Sequence, residues 1–244
     1  MGENQPRLAA VRALVAAEPH DGSAAAGVAN WLQRLCRVAV RALPASGAGV
    51  SLIEGQALGG VAAASDPVSR ALEELQFSLG EGPSVDAHAW RRPVLEADLG
   101  QATLRRWPVF TPAAGGRGVR AVFAFPLQVG AARLGVLDVY RRQPGSLTAE
   151  SLSQALTYAE VAVEQILDGQ AQAVSGLAAD GLLEAMEYRY VVYQAQGMVM
   201  AHLGGSLVDA MARLRAHAYS TDTVLTDVAR DVVAGRLRLE PDGP

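Results

Sequence analysis

From Leu182 onward, apolar side chains recur at helical spacing in three blocks, each closed by turn-forming residues. Val192, Ala195, Val199 and Leu203 stripe the first block, and Leu207, Ala210, Met211, Leu214 and Ala218 the second. Leu225, Val228, Ala229 and Val232 stripe the third. Residues three and four apart share one face of a helix. Gly204-Gly205 ends the first helix, and Ser206 with Asp209 forms a capping box for the second. Ser220-Thr221-Asp222-Thr223 breaks and recaps the chain, and Gly235 stops the third helix. Helices this short do not persist alone. The pattern therefore requires a small bundle in which each helix buries its stripe against the other two.

Upstream the periodicity changes. Residues 1–23 mix Ala, Pro, Gly and charge and read as a loose or partly helical tail. A helix follows from about Ala25 to Leu43, then two strand-like runs, Gly49–Ile53 and Leu58–Ala64, joined at Glu54-Gly55-Gln56. Asp66-Pro67 opens a helix striped by Leu72, Leu75 and Leu79, which stops at Gly80-Glu81-Gly82-Pro83. Pro93-Val94-Leu95 reads as a short strand. Val119–Gln128 and Leu134–Tyr140 read as a hairpin, with Pro126 demoting part of the first strand to an edge or bulge. Strands that pair by hairpins and alternate with helices give an α+β domain with an antiparallel sheet. Thr148 caps a long helix through Ile166, and Asp168–Gly181 has the composition of a linker or weak helix.

Of 244 residues, 50% are hydrophobic and 19% charged, enough for one or two domains with real cores. No apolar run approaches the ~18 residues of a membrane span. The N-terminus matches neither a signal peptide nor a myristoylation motif, so the expected location is the cytoplasm. Cys36 is the single cysteine and reads as a small buried hydrophobe. Every one of the 21 basic residues is Arg, and the net charge is −4. Any nucleic-acid site must then be a local patch.

Residues Gly47 to about Leu167 resemble a GAF domain. The resemblance is carried by Glu74-Leu75-Gln76, Gly80-Glu81-Gly82-Pro83, Asp86-Ala87, Asp98-Leu99, Arg106-Trp107-Pro108, Phe123–Leu127 and Leu134–Tyr140. It implies a central antiparallel sheet with helices on one side and a small-molecule pocket on the other. Many relatives carry Cys after the Gly-Glu-Gly-Pro turn, where this chain has Ser84, so a thiol switch or covalent chromophore is not expected there. No metal or other cofactor is expected. If a ligand binds, Trp107, Phe110, Phe123 and Phe125 would wall its pocket and Asp98 would supply a polar contact; the same aromatics also suit a plain core.

The C-terminal blocks resemble the ANTAR domain, a three-helix RNA-binding antiterminator. Arg189, Gln194-Ala195-Gln196-Gly197, Met200, Ala210, Leu214-Arg215, Ala218, Leu225 and Val228-Ala229 carry this resemblance, with its spacing intact across both turns. It implies a homodimer that grips paired hairpins of a leader transcript. RNA loops are read by stacking and by Arg or amide contacts. Arg189, Tyr193, Gln196, Met200, Arg213 and Arg215 are the expected RNA-binding residues. The family usually has Lys where this chain has Gln196, which removes one counterion-release contact. From Asp180 onward there are nine acidic residues and six Arg.

The expected layout is a tail at 1–23, a GAF sensor at 24–167, a linker or coiled-coil helix at 168–181, an ANTAR domain at 182–238 and a tail at 239–244. A signal-responsive RNA-binding antiterminator is the leading reading, with the signal passing down a helix that its glycines make easy to bend. A helix-turn-helix DNA-binding regulator is an alternative, but its recognition helix would begin Thr223–Asp227 with no cation in the first turn. A dimerisation module with a vestigial ligand pocket is another. An enzyme is not expected: no nucleophile–base pair stands at recognisable spacing.

Overall fold

The computed structural model describes residues 4–19, 27–54, 57–174, 180–221 and 223–240, with side chains for all of these except 4, 54, 57–59, 171–174, 180–190 and 208. The chain divides into two compact units, Met1–Leu183 and Glu184–Pro244.

In the first unit the order is α1 (Asn4–Ala17), α2 (Val28–Ala42), β1 (Gly47–Glu54), β2 (Ala57–Ala64), α3 (Pro67–Leu79), α4 (Pro83–Trp90), β3 (Val94–Glu96), α5 (Gln101–Leu104), α6 (Phe110–Gly116), β4 (Ala121–Val129), β5 (Ala132–Arg141) and α7 (Ala149–Val174). The five strands form one antiparallel sheet in the order β2-β1-β5-β4-β3. The turn expected at Gly55-Gln56 lies outside the described residues.

Helices cover both faces of the sheet, not one as the family resemblance implied. α2 and α7 pack on one face and α3 and α4 on the other. Burial on both sides explains why β4 and β5 are apolar almost throughout. Alternation sorts their side chains. Phe123 pairs with Val139 and Phe125 with Leu137, and all four join the core beneath α2 and α7. Tyr140, Asp138 and Val136, opposite Val122, Ala124 and Pro126, point the other way. Pro126 lies two residues beyond the last β4 residue paired with β3, where the ladder makes no demand on its absent N–H.

Helix signals are met atom by atom. Asp66 Oδ1 accepts hydrogen bonds from the Val68 and Ser69 amides at 2.9 and 3.0 Å, and Thr148 Oγ1 accepts from the Ser151 amide at 3.1 Å. Gly80, at φ 67°, closes α3 in the left-handed conformation that its lack of a Cβ permits.

Two segments are more helical than a loose tail or linker would be. The tail at 1–23, expected to be loose or partly helical, contains α1, whose Leu8, Val11 and Val15 are buried as part of the main core. Their i, i+3, i+7 spacing is a helical stripe that the surrounding Ala and charge obscured. Each buried side chain of this size is worth ~1.5–3 kcal/mol, enough to seat α1 on α7. The segment from Asp168, expected to be a linker or a weak helix, is helical as far as Val174. Gly169 is not a bend: a Cβ there would meet Val28 Cγ2 at 2.0 Å, so the glycine lets α7 press against α2.

The second unit is helical: α8 (Asp180–Leu203), α9 (Leu207–Ser220) and α10 (Leu225–Val233). Both halves of the capping box form, with Ser206 Oγ accepting from the Asp209 amide at 3.1 Å and Asp209 Oδ2 accepting from the Ser206 amide at 3.0 Å. Val192, Ala195, Val199, Ala210, Met211, Leu214, Ala218, Leu225, Val228, Ala229 and Val232 are all buried, but Leu203 is half-buried and Leu207, 51% exposed, lies off the buried face where the spacing had put it.

Candidate sensor core and nucleic-acid interface

On the α3–α4 side of the sheet, six polar side chains are sealed from solvent. Glu73 and Gln76 descend from α3, Ser84 from the first turn of α4, Ser51 from β1, and Asp138 and Tyr140 from β5. Ser51 Oγ donates to Glu73 Oε2 at 2.6 Å, and the Tyr140 hydroxyl donates to Glu73 Oε1 at 2.8 Å. Gln76 Nε2 donates to Asp138 Oδ2 at 3.0 Å, and Gln76 Oε1 accepts from the Ser84 amide at 2.8 Å. Ser84 Oγ donates to Asp138 Oδ2 as well. The network is inlaid into the backbone through glycines. A Cβ on Gly49 would collide with the Glu73 side chain, and one on Gly82, at φ 134°, with Gln76.

Burial pushes the Glu73 carboxyl well above the ordinary carboxylate range, and the charge of Asp138 pushes it further. Burial also raises Asp138, to about 6, against the hydrogen bonds from Ser84, Glu73, Gln76 and Tyr140 that favour its charged form. Asp138 Oδ1 is buried with no hydrogen-bond partner among the described residues. Two carboxyls in one dry site do not both ionise readily.

The residues expected to wall a ligand pocket do not meet. Trp107 and Phe110 pack edge to face, ring centroids 6.2 Å apart, while Phe123 and Phe125 lie beneath α2 and α7 on the opposite face of the sheet. The period of two along β4 fixes that face. Asp98 sits at the surface in an ion pair with Arg120 at 3.0 Å. The Glu73–Asp138 network was also missed as a site. Its signal was available: a lone Asp within the apolar run Leu134–Tyr140, and Glu73 and Gln76 spaced i, i+3 beside the buried Leu72. Cys36 is fully buried, and burial pushes its thiol far above the usual range, as a core hydrophobe requires.

In the helical unit the expected RNA residues occupy different environments. The side chain of Arg189 lies outside the described residues. Gln196 is buried, and its Nε2 donates to the Leu207 carbonyl at 2.6 Å, tying α8 to the first turn of α9. Met200 and Arg213 line one small cavity of 130 Å³ with Ser206 and Asp209, and Arg213 Nη1 reaches the Glu240 carbonyl at 3.4 Å. Arg215 is half-buried. Burial lowers its guanidinium below the usual range, and the nearby Tyr193 phenol acts in the opposite sense. Tyr193 is exposed at the surface of α8. Tyr219, which the sequence did not single out, stands one turn beyond Arg215 on α9 and is 64% exposed.

Residues 25–166 match the family model of the GAF domain, and residues 180–233 match that of the ANTAR domain. The chain is a GAF-domain protein with a C-terminal ANTAR domain. No curated protein matches it. Among solved structures, the GAF domain of a phosphoenolpyruvate-protein phosphotransferase from Coxiella burnetii is 18% identical, covers 70% of this chain and 96% of its own, and has a TM-score of 0.51. The corresponding GAF domain from Acinetobacter is 14% identical, covers 72% and 99%, and also has a TM-score of 0.51. At these identities the likeness concerns the fold alone. The GAF–ANTAR architecture is that of a signal-responsive regulator. The GAF match begins at residue 25, so α1 lies outside the matched segment. No helix among the described residues is long and apolar enough to cross a membrane.

Proposed function

We propose that this protein is an antitermination regulator in which the ANTAR unit of a homodimer binds hairpin leader RNA under the control of a signal received by the GAF domain. One observation carries the reading: the segment matching the ANTAR family exposes two aromatic side chains, Tyr193 and Tyr219, and sets the half-buried Arg215 near Tyr193 and one turn before Tyr219. Exposed aromatic rings accept unstacked bases, and a guanidinium beside them takes a phosphate or a base edge. Gln196 serves the bundle, not the RNA, because its amide is engaged by the Leu207 carbonyl. On the sensor side, the sealed Glu73–Asp138 network is where a ligand, or a proton, would alter the seating of α3 and α4 against the sheet.

The test is a titration of the full chain with a two-hairpin leader RNA and, separately, with duplex DNA of matched length. Tighter binding to the hairpins supports the reading. Equal or tighter binding to duplex DNA favours a helix-turn-helix regulator. Tyr193→Ala with Tyr219→Ala is expected to weaken hairpin binding at least tenfold while leaving the helical signal unchanged.

A further inference from the structure

The C-terminal end of α4 carries a cation–aromatic ladder that neither the sensor core nor the ANTAR tyrosines use. The Arg106 guanidinium carbon lies 4.2 Å from the Trp90 ring centroid and 4.3 Å from that of Trp107. Arg92 stacks on Trp90 as well, at 5.1 Å. Asp86 Oδ2 holds the inner rungs, accepting from Arg106 Nε at 2.6 Å and from Trp107 Nε1 at 3.0 Å. The outer rungs are open. Trp90 is 46% exposed, and Arg91, Arg92 and Arg105 are exposed with no side-chain hydrogen bond or ion pair among the described residues. Arg133, whose Nη1 lies 3.4 Å from His88 Nε2 on the same helix, extends the positive surface. The acidic groups in the neighbourhood are engaged: Asp86 on the inner rungs and Asp98 on Arg120, while Glu96 is partly buried under the influence of Arg106.

The ANTAR segment is poor in cations by comparison. Its matched residues, 180–233, hold seven acidic residues against four Arg, and Arg230 is paired with Asp227. Affinity for RNA comes largely from cations that replace condensed counterions. A cationic surface elsewhere on the chain would supply charge that this segment lacks. A guanidinium stacked on an indole is pre-oriented, with its N–H edge free for a phosphate and its outer face free for a base. RNA offers both chemistries, whereas an acidic peptide offers only carboxylates.

We propose that the Trp90 ladder, with Arg91, Arg92 and Arg105, is a second RNA-binding surface, through which the GAF domain takes phosphodiesters and an unpaired base of the transcript. The proposal rests on the RNA-binding reading above and gives the GAF domain a direct part in it.

The test uses the full chain and a labelled two-hairpin RNA with single-stranded flanks, with Kd measured across a series of salt concentrations. The triple variant Arg91→Gln/Arg92→Gln/Arg105→Gln is expected to lower the slope of log K against log salt by about 2–3, at roughly 0.7–0.9 per lost phosphate contact. RNA is also expected to quench Trp90 fluorescence, a component absent from Trp90→Phe. Arg117→Gln/Arg142→Gln, a change of exposed arginines elsewhere in the same domain, should leave the slope nearly unchanged. A triple variant with the parent slope overturns the proposal while leaving hairpin binding by the ANTAR unit standing. An equal loss in the control pair overturns it too, since net charge would then explain the effect. Displacement of the RNA by polyglutamate at equal charge concentration would assign the patch to an acidic protein instead. If the unaltered chain binds no hairpin RNA, the parent reading fails first and this proposal with it.

Discussion

Ser84 donates its hydroxyl to the buried Oδ2 of Asp138, joining the first turn of α4 to the middle of β5. Relatives with Cys at this place invite a redox reading. In this chain the serine is a hydrogen-bond donor to a carboxylate that burial would otherwise disfavour. Ser84→Ala should cost about 1–3 kcal/mol, the penalty for stripping a partner from a buried charged group. It should also raise the Asp138 pKa further, because the Ser84 bond favours the ionised form. Chemical denaturation at two pH values checks both effects.

The same network sets a pH dependence. The folded-state pKa of Asp138, about 6, lies above its ordinary value, and that of Glu73 is raised as well. A carboxyl raised on folding holds its proton longer in the native state. Its stabilising contribution is complete below about pH 4 and is lost as pH climbs through 6. The melting temperature should therefore fall across that window, and the raised Glu73 carries the fall in the same direction. Asp138→Asn should flatten the profile; an unchanged profile would mean the pair does not titrate with folding.

Gly169→Ala tests whether a glycine in α7 is a weak point or a packing requirement. Helix propensity alone predicts a gain of ~1 kcal/mol. The 2.0 Å approach to the buried, β-branched Val28 predicts a loss of about 1–3 kcal/mol from overpacking. A fall in melting temperature, relieved by adding Val28→Ala, is the expected outcome.

Gln196→Ala should lower stability by about 1 kcal/mol, since the Leu207 carbonyl loses its donor. The affinity for hairpin RNA should not change with it. Weaker RNA binding at an unchanged helical signal would return Gln196 to the RNA surface.

Much of the architecture was legible in the chain itself. The capping box at Ser206, the Asp66 cap and the three C-terminal stripes are local signals, and each appears where its spacing places it, apart from the exposed Leu207. What escaped depends on partners distant in sequence. Phe123 and Phe125 were grouped with Trp107 because all are aromatic, but strand alternation sends them to the opposite face of the sheet. Gly169 reads as flexible until α2 lies against it. Glu73 and Asp138 are 65 positions apart and become one site only when α3 lies across β5. Gln196 looked like a ligand because nothing local reveals that the Leu207 carbonyl is within its reach.

Along β5, neighbouring residues serve opposite sides of the molecule. Asp138 belongs to the polar layer under α3 and α4, while Leu137 and Val139, one peptide away on either side, belong to the dry layer that seats α7. A proton or solute arriving at the aspartate need not cross the sheet to be felt beyond it. Any tilt of that single strand turns a chemical event on one side into a mechanical displacement on the other.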